Sequence, residues 1–227
     1  MKIDFISDIN KGYEPALNYS ATDRFMTQIL WWHLGVFALF VFLNAGLKLA
    51  AYYPSPWAWR VITIPEAIIT LCIAALITVA PVLLVGTMRN HYMWRIFVTC
   101  ALTVYSYLFV FISGGSIEMH FHFFIVAAVL VMYLDWRLGW ILLVLTALHH
   151  GILNYIEPGW VYFYGRNDFS VIAHALPVLV AVICTSMLCG IGRQSVVDLI
   201  EKQKALQKRV DELEASKGAA NIAPASA

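Results

Sequence analysis

The residues of this sequence best suited to chemistry are histidines that lie in long apolar stretches. The chain contains seven histidines. An ionisable side chain inside a bilayer is costly, so a histidine in an apolar segment is a candidate functional residue. Imidazole is also a common ligand for zinc, copper, non-haem iron and haem iron. The five candidates are His120, His122, His149, His150 and His174.

The composition predicts that these residues belong to a membrane protein. Of 227 residues, 61% are hydrophobic and 13% are charged, whereas a soluble domain averages roughly half apolar and a quarter charged. Soluble enzymes and disordered regulators are therefore disfavoured. The net charge of +1 provides no basic field for a polyanion, so no nucleic acid is expected as a partner. The expected partner is the lipid bilayer.

Six stretches are long and apolar enough to cross a hydrocarbon core of ~30 Å as helices. The sequence thus predicts an all-α fold, a polytopic bundle of six transmembrane helices, followed by a cytoplasmic C-terminal coiled-coil helix. The predicted domains are a cytoplasmic N-terminal segment (1–25), a six-span membrane domain (26–191), a cytoplasmic helix (192–216) and a disordered tail (217–227). The predicted spans are Met26–Ala51, Ile62–Gly86, Trp94–Ser113, Ile117–Leu134, Leu138–Tyr155 and Ser170–Ile191.

The distribution of basic residues predicts the orientation of these spans. With the N-terminus inside, 12 of the 15 Lys and Arg residues fall on the inner side and three on the outer side. Positive charge accumulates on the cytoplasmic side of membrane proteins. Both termini are therefore expected in the cytoplasm, with the protein in the bacterial inner membrane.

This topology brings the five histidines to one depth. At 1.5 Å per residue, His120 and His122 lie roughly 5–8 Å below the outer end of the fourth span, and His149 and His150 roughly 8–9 Å below that of the fifth. His174 lies roughly 6 Å below the outer end of the sixth span. His33, in the inner half of the first span, and His91, in an inner loop, are expected to be structural.

Several ligand sets are compatible with this layer. Helical geometry separates His120 from His122 by about 200°, so one centre would take one member of each pair together with His174. If Gly114 and Gly115 kept the start of the fourth span extended, both His120 and His122 could contribute, giving four ligands. Two opposed histidines could instead bracket a haem, and a hydrogen-bonded cluster around water is the structural alternative.

Four stretches of this sequence, taken together, resemble a bacterial membrane-integral sensory input module found ahead of chemoreceptor, histidine-kinase and diguanylate-cyclase output domains. The resemblance implies sensing, and a coiled-coil signalling helix after the spans. It also implies recurrent histidines at His120, His122, His150 and His174, whereas the position of His149 can be acidic, which favours His150 as the ligand. The stretches are Gly114–Phe124, Tyr133–Arg137, Ala147–Gly151 and Ala173–Ala175.

No output domain follows the spans in this sequence, so a separate cytoplasmic signalling partner or a missing output domain is expected. After Gly192 the chain turns polar, and apolar residues recur at spacings of three and four, which is typical of a coiled-coil seam. A helix lying on the inner leaflet is the alternative. The seam predicts a homodimer. It comprises Val196, Leu199, Gln203, Leu206, Val210 and Leu213.

The sequence therefore favours a non-catalytic sensor that binds a transition metal ion (copper, zinc or iron) and relays its state to the cytoplasmic helix. The predicted ligands are His120, His122, His150 and His174, with His149 and Glu118 as further candidates. Haem b is the alternative cofactor, which neighbouring imidazoles suit less well than multi-histidine coordination. The alternative function is a membrane oxidoreductase or hydroxylase that uses the same histidines.

Overall fold

A computed structural model describes residues 17–48, 60–88 and 91–222, and every regular element in these ranges is a helix. The predicted all-α class is confirmed for this part of the chain. Contacts divide the chain into two units, Met1–Cys189 and Gly190–Ala227. Residues 1–16 of the predicted N-terminal segment and 223–227 of the predicted tail lie outside the described ranges.

The described ranges contain seven α-helices. A π-helical segment, Phe42–Gly46, extends the first helix, and a 3-10 turn, Val131–Tyr133, follows the fifth. A second 3-10 turn, Pro158–Trp160, precedes the last helix. The α-helices are α1 Ser20–Val41, α2 Ile64–Met88, α3 Tyr92–Ile112, α4 Ile117–His120, α5 His122–Leu130, α6 Trp136–Ile156 and α7 Asp168–Ile222.

Among the described residues, five helices are long and apolar enough to cross a membrane: α1 with its π-helical extension, α2, α3, α6 and α7. The predicted fourth span is different. Its apolar stretch, Ile117–Tyr133, is shorter and is divided between α4, α5 and a 3-10 turn. Seventeen helical residues would reach roughly 25 Å, which is less than the ~30 Å hydrocarbon core. Five of the six predicted spans thus correspond to long apolar helices, and a membrane crossing by the shorter, interrupted segment remains a prediction.

Helix α3 is the central helix of the first unit. It contacts α1, α2, α5 and α6, and its side chains Trp94, Leu102 and Tyr105 are fully buried. The other long helices carry exposed large apolar side chains, such as Leu83 on α2 and Phe169 on α7. So many exposed apolar side chains would be a liability in water but are what lipid surroundings favour.

The turn between α5 and α6 is held by Asp135. Leu134 adopts a left-handed conformation (φ 49°), and the Asp135 side chain then caps α6 by accepting a hydrogen bond from the backbone N–H of Arg137. The Asp135 carboxylate also lies 3.5 Å from the Arg95 guanidinium of α3, and both side chains are buried. This ion pair ties the start of α6 to the central helix.

The predicted sixth span and the predicted signalling helix belong to one element, α7. This helix runs to Ile222, past the predicted start of the tail at Lys217. Within the second unit, the apolar side chains Leu199, Leu206 and Leu213 are each more than 60% exposed. These residues of the predicted seam are thus exposed on a helix, and both the coiled coil and the pairing of two chains remain predictions.

Candidate functional site

Three of the predicted histidines lie together in the first unit. The ring centroids of His120 and His174 are 5.0 Å apart, those of His120 and His150 are 5.3 Å apart, and those of His150 and His174 are 6.3 Å apart. His120 belongs to α4, His150 to α6 and His174 to α7. We call these three residues the histidine triad.

Each imidazole of the histidine triad is held in the same way. The Nδ1 atom of His120 lies 2.8 Å from the carbonyl oxygen of Ser116, four residues earlier in the chain. His150 and His174 make the equivalent contacts to the carbonyl oxygens of Thr146 (2.9 Å) and Ser170 (2.8 Å).

These contacts select the tautomer of each ring. A carbonyl oxygen can only accept, so each Nδ1 must carry the hydrogen and donate it. In the neutral imidazole the other nitrogen, Nε2, then carries a lone pair. A backbone carbonyl that fixes Nδ1–H is the usual outer support of a metal-binding histidine, because it orients the ring and exposes Nε2 as the ligand.

The Nε2 atom of His120 is buried and has no hydrogen-bond partner in the structure. His120 as a whole is only 7% exposed. A buried polar atom without a partner is costly, and in a native protein it calls for an explanation such as an ion or a ligand. The neighbouring triad rings, which carry lone pairs of their own, cannot donate to it.

Tyr162 contacts the histidine triad from the loop between α6 and α7. Its ring centroid lies 5.3 Å from that of His174, 5.9 Å from that of His150 and 6.3 Å from that of His120. Tyr162 is 1% exposed, and burial raises the pKa of its hydroxyl above the ordinary value. The hydroxyl therefore stays protonated well into the alkaline range.

Gly115 places this loop against the histidine triad. It has a positive φ of 80°, and a Cβ atom there would come within 2.6 Å of the Val161 carbonyl and the Tyr162 nitrogen. Only glycine combines this conformation with so close an approach of two backbones. The glycine pair therefore makes a tight turn, and residues 117–120 are helical, so the alternative of an extended start to the fourth span is not found.

Asn154 holds the ends of α6 and α7 together, one turn after His150. Its side-chain amide donates to the Asp168 carboxylate at 2.8 Å, and its oxygen accepts from the backbone N–H of Asn167 at 3.2 Å. Asn154 is fully buried. Sequence reasoning missed both Asn154 and Tyr162, although a polar residue one turn from His150 in an apolar helix was a usable signal.

His122 lies apart from the histidine triad. Its Nδ1 is 2.8 Å from the Ser106 hydroxyl of α3, and its ring centroid is 5.1 Å from that of His33 on α1. The turn at Phe121 separates α4 from α5, and two residues of helical rotation carry His120 and His122 to different neighbours. A four-histidine centre that includes His122 is not what this geometry offers.

His33 has a neighbour that the sequence did not predict. We expected His33 in the inner half of the first span as a structural residue, and its ring lies against that of His122, with centroids 5.1 Å apart. Helix α1 begins at Ser20, six residues before the predicted first span.

The remaining candidates have other surroundings. The His149 ring stacks on Tyr107 of α3, with centroids 3.9 Å apart and planes 3° apart, and its Nδ1 is 3.5 Å from that of His150. Glu118 is exposed. His91 caps α3 by accepting from the Met93 backbone N–H. None of these contacts places a fourth ligand on the histidine triad.

A cavity of about 260 Å³ lies beside the histidine triad. Its walls come from α4, α5, α6 and α7, and all three triad residues contribute to its lining. The other lining residues are Ile117, Phe121, Phe123, Phe124, Leu143, Thr146, Ala147, Val171, Ala173, Ala175, Pro177 and Val178.

Among the described residues, no group of three or more His, Cys, Asp or Glu side chains is already arranged to hold a metal ion. The triad rings would therefore have to turn before three nitrogens could reach one ion. The sequence matches no protein-family model, and no curated protein or solved structure is significantly similar to it.

Proposed function

We propose that this chain is a membrane-embedded sensor whose histidine triad binds a transition metal ion and whose helix α7 relays the state of that site to the cytoplasm. The observation that carries the proposal is the common support of His120, His150 and His174. Each Nδ1 is held by a carbonyl four residues earlier, which leaves three Nε2 lone pairs in one buried place.

The chemistry of the donors favours a metal ion over haem. Three neutral imidazoles suit zinc, copper or iron, and a site with three protein ligands leaves a further position open for a small molecule. A haem would use two axial imidazoles and leave the third triad ring without a ligand. A bound ion would supply a Lewis-acidic or redox-active centre at this position.

The proposed placement is the bacterial inner membrane, with both termini in the cytoplasm. The five long apolar helices and the segment Ile117–Tyr133 would together make six crossings. The short segment can cross because its helices are packed against protein, and the bilayer can thin locally around it. The excess of basic residues on one side supports this orientation.

The proposed relay uses the continuity of α7. His174 lies in its second turn, and Leu206 lies in its predicted seam. A change at the histidine triad that moved the start of α7 relative to α6 could be passed along the helix, and two chains paired along the seam would respond to it. A pairing of marginal stability can be biased by only a few kcal/mol.

Disulfide crosslinking in membranes tests the relay. We expect Leu206→Cys, placed on the seam, to crosslink two chains strongly, and Lys208→Cys, on the opposite exposed face, to crosslink weakly. Both variants should be made in a protein in which the exposed Cys72 and Cys184 are replaced with serine. Removal of metal with a membrane-permeant chelator should change the Leu206→Cys yield at least about twofold.

A second background carrying His174→Ala separates signalling from simple pairing. We expect the Leu206→Cys yield in that background to be insensitive to the chelator. Equal crosslinking at the two positions would contradict the dimer seam. If the Leu206→Cys crosslinking yield did not change on metal removal while His174 was intact, the relay would be contradicted.

A further inference from the structure

The cavity beside the histidine triad presents hydrogen-bond acceptors from its polar side chains. His150 and His174 offer Nε2 lone pairs, because each Nδ1–H is already committed to a carbonyl, whereas the Nε2 atom of His120 is buried. The fourth polar residue of the lining, Thr146, donates its hydroxyl hydrogen to the Leu142 carbonyl at 2.8 Å. A ligand that satisfies this cavity must therefore bring a cation or its own O–H donors.

The apolar lining and the volume restrict the ligand further. An apolar cavity of about 150 Å³ holds benzene, so this cavity of about 260 Å³ accommodates one substituted ring. A diatomic gas would leave most of this space empty, since one water occupies about 30 Å³ of liquid. Phe123 and Leu143 line the walls, and they favour an aromatic or quinonoid ring over a hydrated solute.

The cavity reaches the surface of the helices that are expected to face lipid. Among its lining residues, Phe121 is 58% exposed and Ile117 is 40% exposed, and Ala147 is also exposed. In the proposed bilayer this opening faces hydrocarbon. A ligand would thus arrive from the membrane, with its ring inside and an apolar tail left among the lipids.

We propose that this cavity binds the quinol headgroup of a lipid-soluble quinone and discriminates against the oxidised quinone. A quinol carries two O–H donors on one ring, whereas a quinone carries carbonyls that only accept. Without metal, a quinol hydroxyl donates to a triad Nε2 atom.

The inference rests on the proposed function, because it names the stimulus of the proposed sensor as the reduced form of the membrane quinone. It is tested by binding to the full chain in nanodiscs, treated with a chelator so that the Nε2 lone pairs of the histidine triad carry no metal. The probes are decylubiquinol, decylubiquinone and decylbenzene under anaerobic conditions, measured by equilibrium partition. We expect saturable binding of decylubiquinol at about one per chain.

The three probes share the same decyl tail, so differences report on the ring substituents. Decylubiquinone and decylbenzene should each bind at least about tenfold more weakly than decylubiquinol, because neither supplies a donor to a buried acceptor. Equal binding of decylbenzene would overturn the proposal by showing a site for any apolar chain. Tighter binding of decylubiquinone would overturn the discrimination.

Two variants fill the cavity without replacing a histidine. Ala147→Trp and Ala175→Phe place bulk in the lining and should weaken decylubiquinol binding at least about tenfold, with zinc binding unchanged. Leu148→Trp, on the exposed neighbouring position of α6, is the matched control and should bind normally. If both cavity variants bound decylubiquinol as well as Leu148→Trp does, the ligand would lie elsewhere and the proposal would fail.

Zinc titration of the same protein separates this inference from the proposed function. A protein that holds no metal but still binds decylubiquinol, in a way that Ala147→Trp abolishes, would support the cavity site and contradict the metal site. Stoichiometric zinc with no saturable decylubiquinol binding would support the metal site and overturn the quinol site.

Discussion

Asn154 donates a 2.8 Å hydrogen bond to Asp168, and this contact joins the last turns of α6 to the first turn of α7. His150 precedes Asn154 by one turn, and His174 lies in the second turn of α7. The contact between Asn154 and Asp168 therefore sets the spacing of two members of the histidine triad.

Replacing Asn154 with alanine should loosen this spacing. We expect Asn154→Ala to lower the free energy of unfolding by about 1–3 kcal/mol, because it leaves the Asn167 N–H without its acceptor. Metal affinity should fall about tenfold, since Asn154 orients ligand-bearing helices without itself binding metal. Unfolding in detergent and metal titration measure the two effects. Ile152→Ala, exposed on the same helix, should leave metal affinity unchanged, and an equal loss in both variants would argue against a positioning role.

Gly115 offers a test of the turn that carries Tyr162. Gly115→Ala should destabilise the protein by about 1–3 kcal/mol, because its φ is 80° and the new Cβ would meet the Val161 carbonyl at 2.6 Å. Gly151→Ala is the control. That glycine lies inside α6 with nothing within 4 Å of its Cβ position, and alanine there should be neutral or stabilise by up to about 1 kcal/mol. Thermal unfolding of both variants decides the matter, and equal midpoints would contradict the close backbone approach.

The buried ion pair between Arg95 and Asp135 should contribute strongly to folding. Asp135→Asn keeps a good helix cap but removes the charge, and we expect it to cost about 3–5 kcal/mol because it removes one member of a buried ion pair. Glu212→Gln breaks an exposed pair with Lys208 and should cost less than about 0.5 kcal/mol. Detergent unfolding curves compare them. A small effect of Asp135→Asn would show that the arginine is solvated.

Sequence patterns predicted the parts of this fold that depend on composition and spacing. Runs of about 20 apolar residues fix a helix wherever they occur in a membrane protein, because the backbone must satisfy its own hydrogen bonds. The start of α6 was readable from Asp135, a good capping residue before an apolar run. The candidate residues His120, His150 and His174 came from the same counting of residues along helices.

The rest depended on contacts that no single segment encodes. Whether His120 or His122 faces His150 is decided by the break at Phe121 and by the packing of α5 on α3. The meeting of His33 and His122 joins α1 to α5, two segments far apart in the sequence. Tyr162 reaches the histidine triad through the conformation of a loop and the close approach of Gly115, which hydropathy does not report.

Reporter fusions test the proposed orientation. A reporter that is active only in the cytoplasm should be active when it is fused after Ala227. A reporter that is active only in the periplasm should be active when it is fused in the loop near Gly165. Fusions between Leu134 and Trp136 should behave as cytoplasmic if the short segment Ile117–Tyr133 crosses the membrane. A periplasmic signal at that turn would show that the short segment does not span.

The central claim is that His120, His150 and His174 bind one metal ion and His122 does not. Metal content of protein purified without chelators from metal-replete cells, measured by elemental analysis, tests it most directly. We expect about one transition metal ion per chain, a loss of at least about tenfold in His120→Ala, His150→Ala and His174→Ala, and full occupancy in His122→Ala, His33→Ala and His91→Ala. Metal-free wild-type protein, or a loss in His122→Ala equal to that in His150→Ala, would contradict the account.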